Sequence, residues 1–313
     1  MYYDLNLVWP ALPASPPAPA KKGVKRRGQD KHPRTSPSEG EEQRQGLTQQ
    51  QREHICAMTA DAAERESLVC TAEWLLTGRA LVGYGTIAYN FIVRSRFDAA
   101  THTTPYRPRP SGDPNPPFPD LDPRCATQAP AKVVQLTRMT LLLDEESMGK
   151  HGHGLIINHQ SALLQYDLLA AQPFNDASFS SLCLTLTELK PISIDIISLD
   201  ASSAARSPFF LKRSLVGTAI ANGAVFEICY ARAVSRSASD EKEDSQLKAR
   251  RNIISVTRDL LRVTSGRGVI LSSGASDIMG LRGPYDVMNL WVKRPSLLSV
   301  AYAFPSSGRL SLV

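Results

Sequence analysis

The sequence predicts an α/β fold, a TIM-barrel-like (β/α) barrel. Two observations carry this. Short apolar runs rich in Val, Ile and Leu alternate with helical or connecting segments about eight times along 313 residues. Neither a GxGxxG dinucleotide fingerprint nor a phosphate-binding loop interrupts that rhythm. The bulk composition allows it: 42% hydrophobic residues suffice for one large core, or for two small ones. A doubly wound parallel sheet is the second architecture this rhythm fits.

YYDLNLVW, residues 2–9, alternates and predicts the first strand. From Pro10 to about Gly46 almost nothing apolar is left to bury, which predicts a disordered, basic and Pro-rich insertion. Its cluster Lys21, Lys22, Lys25, Arg26 and Arg27 suits a nuclear localisation signal or an RNA-binding arm, and equally a solvated linker. The domain reading is therefore one barrel-like unit built from 1–9 and 47–313. A helix is expected from Thr48, with Gln51 as capping-box partner, to about Leu76. LVGYGTIAYNFIV, 81–93, reads as a buried strand, and 103–130 as a Pro-rich loop. VVQLTRMTLLLD, 133–144, is the next strand, followed by the HGHG loop. YDLLAAQP is expected as a strand, FSSLCLTL as a helix and PISIDIISLD as a strand. FFLKRSLVG is expected as a strand whose end carries Lys212 and Arg213, with VFEICY as the strand after it. SASDEKED is expected as an exposed acidic loop, Gln246 to about Thr264 as a helix, and GVILSSGA as the last clear strand.

Five scattered cysteines without a CxxC pair (Cys56, Cys70, Cys125, Cys183 and Cys229) argue for reduced thiols rather than a disulfide framework or a zinc knuckle. The first residues lack the pattern of a signal peptide, and no apolar run reaches the roughly 18 residues of a membrane span. The net charge of +6 fits a polyanion partner. From 246 to 313, ten basic residues stand against three acidic ones, a balance of +7 that exceeds the whole chain's. On the expected helix, Arg251, Arg258 and Arg262 fall within roughly 20° of one line, opposite Ile253, Val256, Leu260 and Val263. The apolar side should dock on the sheet. The arginines then face a nucleic-acid backbone or simply water.

Catalytic signatures are weak. His151, His153 and His159 could begin a metal site, but the pair lies in a Gly-flanked loop and later strand ends offer Glu227 and no histidine. GxSxG is absent. Asp4, Asp195 and Glu227 could point inward as paired carboxylates, or as core hydrogen-bond partners. Lys212 and Arg213, expected together at a strand end, can both reach a phosphate. In LRGPYDVMNL, Pro284 suits a first helical turn, Asp286 complements its dipole, and Val287, Leu290 and Trp291 supply an apolar face. Arg282 is left beside that helix start, a place suited to phosphate.

YYDLNL, GYGTIAYNFIV, QLTRMTLLLD, PFFLKRSLVGTAIANGAVFEICY, RRNIISVTRDLL, GVILSSGA and LRGPYDVMNL, in this order, resemble the 30-kDa protein subunit of eukaryotic ribonuclease P and ribonuclease MRP. The resemblance implies a TIM-barrel-like fold akin to PHP-type metallohydrolases, with no metal and no cofactor. It implies a non-catalytic subunit that braces the ribonuclease P RNA and the MRP RNA, in removal of tRNA 5′ leaders and in rRNA processing. Implied partners are a small Pop-family protein and, indirectly, precursor tRNA, with no membrane. The implied location is the nucleus, with the nucleolus. Lys212, Arg213, Arg282 and the SSGA turn with Ser272 and Ser273 become the implied RNA-side or partner-side residues, and Arg251, Arg258 and Arg262 join them from the helix. The chain departs from the family's pattern at 10–46, at 58–80 and after Asn289. Two other readings compete: a PHP-type metal-dependent phosphoesterase, and a protein-interaction module using the Pro-rich loops.

Overall fold

The computed structural model describes residues 2–8, 84–102, 133–149, 152–188, 191–234, 240–275 and 280–287, with 104, 116, 118, 119 and 122–125 between them. The 10–46 segment, the helix expected at 48–76, the 58–80 stretch, His151, Leu290 and Trp291 lie outside the described residues.

Seven parallel strands form one sheet in chain order: β1 Tyr2–Val8, β2 Tyr84–Arg94, β3 Val134–Leu143, β4 Leu168–Pro173, β5 Ile196–Leu199, β6 Val225–Cys229 and β7 Val269–Ser272. The first and last strands meet. Leu7 bridges Ala275 in parallel, the Val8 N–H donates to the Ala275 carbonyl at 3.0 Å, and the Gly274 N–H to the Asn6 carbonyl at 2.9 Å. The sheet therefore curls into a nearly closed barrel. A doubly wound sheet would instead reverse its strand order partway. The sequence rhythm suggested about eight repeats, whereas the described residues hold seven strands.

Helices occupy the connections: α1 Gln160–Leu163, α2 Asp176–Ser181 with a π-turn extension over Leu182–Leu186, α3 Arg213–Ala221, α4 Ala231–Val234 and α5 Asp240–Thr264. Strands of such a barrel are covered on both faces, so β3 is buried almost throughout, its polar residues Gln135, Thr137, Arg138 and Thr140 included. Outward residues Met139, Leu141, Leu169, Ile197, Phe226 and Ile228 pack against Val216 and Ala219 of α3 and Ile253, Val256 and Leu260 of α5. α2 starts three residues before the expected FSSLCLTL helix. Asn175 caps it: its side chain accepts the Ser178 N–H at 2.7 Å, while Ser178 Oγ accepts the Asn175 N–H at 3.1 Å.

Two expected elements change type. FFLKRSLVG is not a strand: Phe209 to Leu211 are loop, Lys212 is the N-cap of α3 and Arg213 its first residue. SASDEKED is not a loop throughout, because α5 begins at Asp240. Acidic residues in a first helical turn are favoured by the helix dipole, so the composition that looks like a loop also suits a helix start.

Candidate nucleic-acid interface

The barrel interior is layered, and the layers decide what the fold offers. The lowest inward positions are apolar: Leu5, Ala88, Leu136, Ile196, Val225 and Ile270 pack as one cluster. Side chains alternate along a strand, so the next inward position is two residues on. There the chain places Asn90, Arg138, Ser198, Glu227 and Ser272, all buried.

These residues and their neighbours close a ring of hydrogen bonds. Arg138 Nη1 and Nη2 donate to Glu227 Oε1 and Oε2 at 2.5 and 2.7 Å, both side chains being fully buried. Arg138 Nε donates to Thr140 Oγ1 at 3.1 Å, whose hydroxyl donates to Asn90 Oδ1 at 2.7 Å. Asn90 Nδ2 donates to Asn6 Oδ1 at 2.8 Å, and Asn6 Nδ2 returns to Glu227 Oε2 at 3.0 Å. A further bond runs from Arg138 Nη1 to the Leu5 carbonyl at 2.7 Å. Four strands, β1, β2, β3 and β6, are thereby tied across the axis. Burial alone would raise the Glu227 carboxyl, but the Arg138 guanidinium outweighs it and holds the group below its ordinary range. Asp4 goes the other way. Burial dominates, against N–H donors from Ser273 and Asn6, and its carboxyl is raised.

Above the ring, at the C-terminal ends of the strands, lies an open cavity of about 460 Å³. Asn6, Asn90, Thr140, Gln172, Asp200 and Arg232 are among its lining residues. This is the position at which barrel enzymes assemble active sites. Here the floor is already committed: Asn6, Asn90 and Thr140 are held in the ring. Cys229, also on the wall, has its thiol pushed well up by burial and by nearby Glu227, which leaves a protonated thiol rather than a nucleophile. At the rim, Arg232 reaches Ser202 Oγ at 3.4 Å and Ser202 donates to Asp200 at 2.8 Å. Among the described residues no three His, Cys, Asp or Glu side chains converge as a metal cluster. At the axis the one carboxylate, Glu227, is taken up by Arg138 and Asn6, and the other groups are amides and a hydroxyl. That set suits hydrogen bonding rather than metal ligation, so the phosphoesterase alternative is not favoured. His153 and His159 are held in place: His153 Nδ1 accepts the Leu155 N–H at 3.1 Å, and His159 packs edge-on to Phe97 with ring centroids 5.8 Å apart.

The expected contact residues separate into two groups. Lys212, Arg213, Arg251, Arg258 and Arg262 are exposed, the last three along the outer face of α5. Arg213 Nη2 lies 3.4 Å from Ser265 Oγ at the end of α5, so the start of α3 and the end of α5 adjoin. Ser272 and Ser273 are buried instead. Ser273 Oγ donates to the Asn6 carbonyl at 3.0 Å and its N–H to Asp4, so the SSGA turn locks β7 to β1. Gly274 has φ +61, and a Cβ there would lie 2.7 Å from Cys229 Cβ, which explains the small residues. Arg282 is half-buried rather than presented outward. Its Nη1 donates to the Leu281 carbonyl at 2.8 Å and its Nη2 to the Val234 carbonyl at 3.3 Å, while Tyr84 donates to the Arg282 carbonyl at 3.0 Å. These bonds make Arg282 a brace between the end of α4 and the turn before Pro284. The ring itself was missed in the sequence. Its one visible signal was a lone arginine, Arg138, in the apolar run QLTRMTLLLD.

A nearly closed parallel barrel, with a hydrogen-bonded axis and arginines on its outer helix, defines the class: a (β/α)-barrel protein whose interior is braced. A family model described as RNase P subunit p30 matches residues 64–293. The chain belongs to that family. Over 157 residues it is 33% identical to Protein GAMETOPHYTE DEFECTIVE 1 of Arabidopsis thaliana, covering 50% of this chain and 23% of that protein. Over 156 residues it is 31% identical to Ribonuclease P protein subunit p30 of Mus musculus, covering 50% of each. Over 155 residues it is 28% identical to Ribonuclease P/MRP protein subunit RPP1 of Saccharomyces cerevisiae, covering 49% of this chain and 44% of that protein. The chain thus spans half or less of the length of these curated relatives.

Proposed function

We propose that this chain is a non-catalytic protein subunit of a ribonuclease P ribonucleoprotein, shared with ribonuclease MRP, that braces the catalytic RNA. It would act in tRNA 5′-leader removal and rRNA processing, in the nucleus and nucleolus. The observation that carries the reading is the p30 family match over 64–293, which includes the whole exposed basic surface of α3 and α5. The committed floor of the barrel mouth adds support, since it leaves the fold's usual catalytic position as a brace. The proposed RNA contacts are Lys212, Arg213, Arg251, Arg258 and Arg262. A small Pop-family protein is the proposed protein neighbour, and precursor tRNA is met through the RNA.

The test is affinity purification from cells followed by sequencing of the bound RNA. Enrichment of the ribonuclease P and MRP RNAs is the expected result. Recovery of the chain without a structured RNA would overturn the reading. In vitro, the triple variant Arg251→Ala, Arg258→Ala, Arg262→Ala should flatten the dependence of log K on log salt. The change should be about 0.7–0.9 for each phosphate the variant no longer neutralises.

A further inference from the structure

We propose that Phe210 and Phe174, flanked by Lys212 and Arg213, form a stacking platform for unpaired RNA bases, so that this end of the barrel takes a single-stranded segment. The proposal rests on the RNA-binding reading above and names the kind of RNA that this surface fits.

Two adjacent phenylalanines are used in opposite ways. Phe209 is buried and its ring stacks on Phe179, with centroids 4.5 Å apart and planes 13° from parallel. Phe210 is 71% exposed. Its backbone is held on both sides: its N–H donates to Asp176 Oδ1 at 3.0 Å, and its carbonyl accepts the Lys212 N–H at 2.9 Å. Phe174, 44% exposed, stands two residues before Asp176, and its N–H donates to Ser178 Oγ at 3.1 Å. Both aromatic side chains therefore project from fixed backbone on two facing loops, and little backbone freedom is left to lose on binding.

Single exposed apolar residues are ordinary. Here the surroundings select the partner. Residues 201–214 contain Arg206, Lys212 and Arg213, all at least partly exposed, and no acidic residue. Asp176, the first residue of α2, has one carboxylate oxygen engaged by the Phe210 N–H. An exposed ring with Lys212 and Arg213 two and three residues on suits a polyanion that presents flat π faces, as a single-stranded nucleic acid does. A duplex hides its base faces within the stack and would meet only the cations.

The experiment measures binding of the full chain to a fluorescein-labelled, unstructured RNA 12-mer and to the duplex of the same sequence, across a salt series. Phe210→Ala should weaken single-strand binding by about 5- to 150-fold, leaving duplex affinity and the salt slope unchanged. Phe210→Trp should restore single-strand binding. Lys212→Ala with Arg213→Ala should weaken both RNAs and lower the slope. If Phe210→Ala leaves the single strand bound as tightly, or weakens both RNAs equally, the platform is overturned while RNA binding stands. If the same variant spares RNA but sheds a protein from the purified particle, the patch is a protein contact and the platform is again overturned. If the wild-type chain binds neither RNA, the RNA-contact reading fails first and the platform fails with it.

Discussion

At the residue scale, the Arg138–Glu227 pair organises the molecule. Glu227→Ala should destabilise the fold by about 3–5 kcal/mol, because it leaves a buried guanidinium uncompensated. Replacing both partners together with apolar residues of similar volume should recover much of that loss. Denaturant midpoints of the three proteins test this. The pH dependence has two signs. Glu227 is held below its ordinary value of 4.5, so its contribution is present above that value and is lost as pH falls through the lower folded value. Asp4 is raised above 3.8, so its contribution is present below 3.8 and is lost as pH rises through the raised value. Urea titrations across pH should show Glu227→Gln flattening the acid limb and Asp4→Asn flattening the limb above pH about 4. An unchanged profile in Glu227→Gln would contradict the ring, and one in Asp4→Asn the burial of Asp4. Arg282→Ala should lower the melting temperature, since two bonds of about 1 kcal/mol each are removed, and should leave RNA affinity of the folded protein unchanged. The sequence made the break at Gly283–Pro284 legible: the Gly283 carbonyl accepts the Asp286 and Val287 N–H groups, as a helix start requires. It could not reveal where Arg282 points. That depends on Val234, 48 residues away, and on Tyr84, 198 residues away.

At the element scale, α5 shows which patterns a sequence states clearly. Its buried stripe, Ile253, Val256 and Leu260, and its exposed arginines fall where the 3.6-residue period places them. Leu260→Ala should cost about 2–5 kcal/mol and Arg258→Ala less than about 0.5 kcal/mol, measured by thermal or denaturant unfolding. Comparable losses would mean that the two faces are misassigned. Its start was not legible, because an acidic run suits both an exposed loop and a first helical turn. FFLKRSLVG misled for a related reason. Its apolar beginning resembles a strand, but Phe209 is buried by stacking on Phe179 and not by pairing with a neighbouring strand.

At the scale of the whole molecule, the barrel was legible from the alternation of buried runs and connections. Its closure was not. The bonds that join β1 to β7 run between residues more than 260 positions apart, as with Ser273 and Asp4 at 269. Nor was the ring legible, since its Asn6–Glu227 bond spans 221 positions. The inward carboxylates had two readings from sequence, catalytic pair or core partner, and Glu227 is the second. Under the proposed function, a barrel braced in this way meets its RNA on the outer surface rather than at its mouth. That division is the central claim. Its most direct test is RNA recovery from cells by three forms of the chain: wild type, the triple variant Arg251→Ala, Arg258→Ala, Arg262→Ala, and a mouth variant, Gln172→Ala with Arg232→Ala. The account predicts that wild type and the mouth variant recover ribonuclease P RNA equally, while the triple variant recovers less as salt is raised. Loss of RNA with the mouth variant, and none with the triple variant, would contradict it.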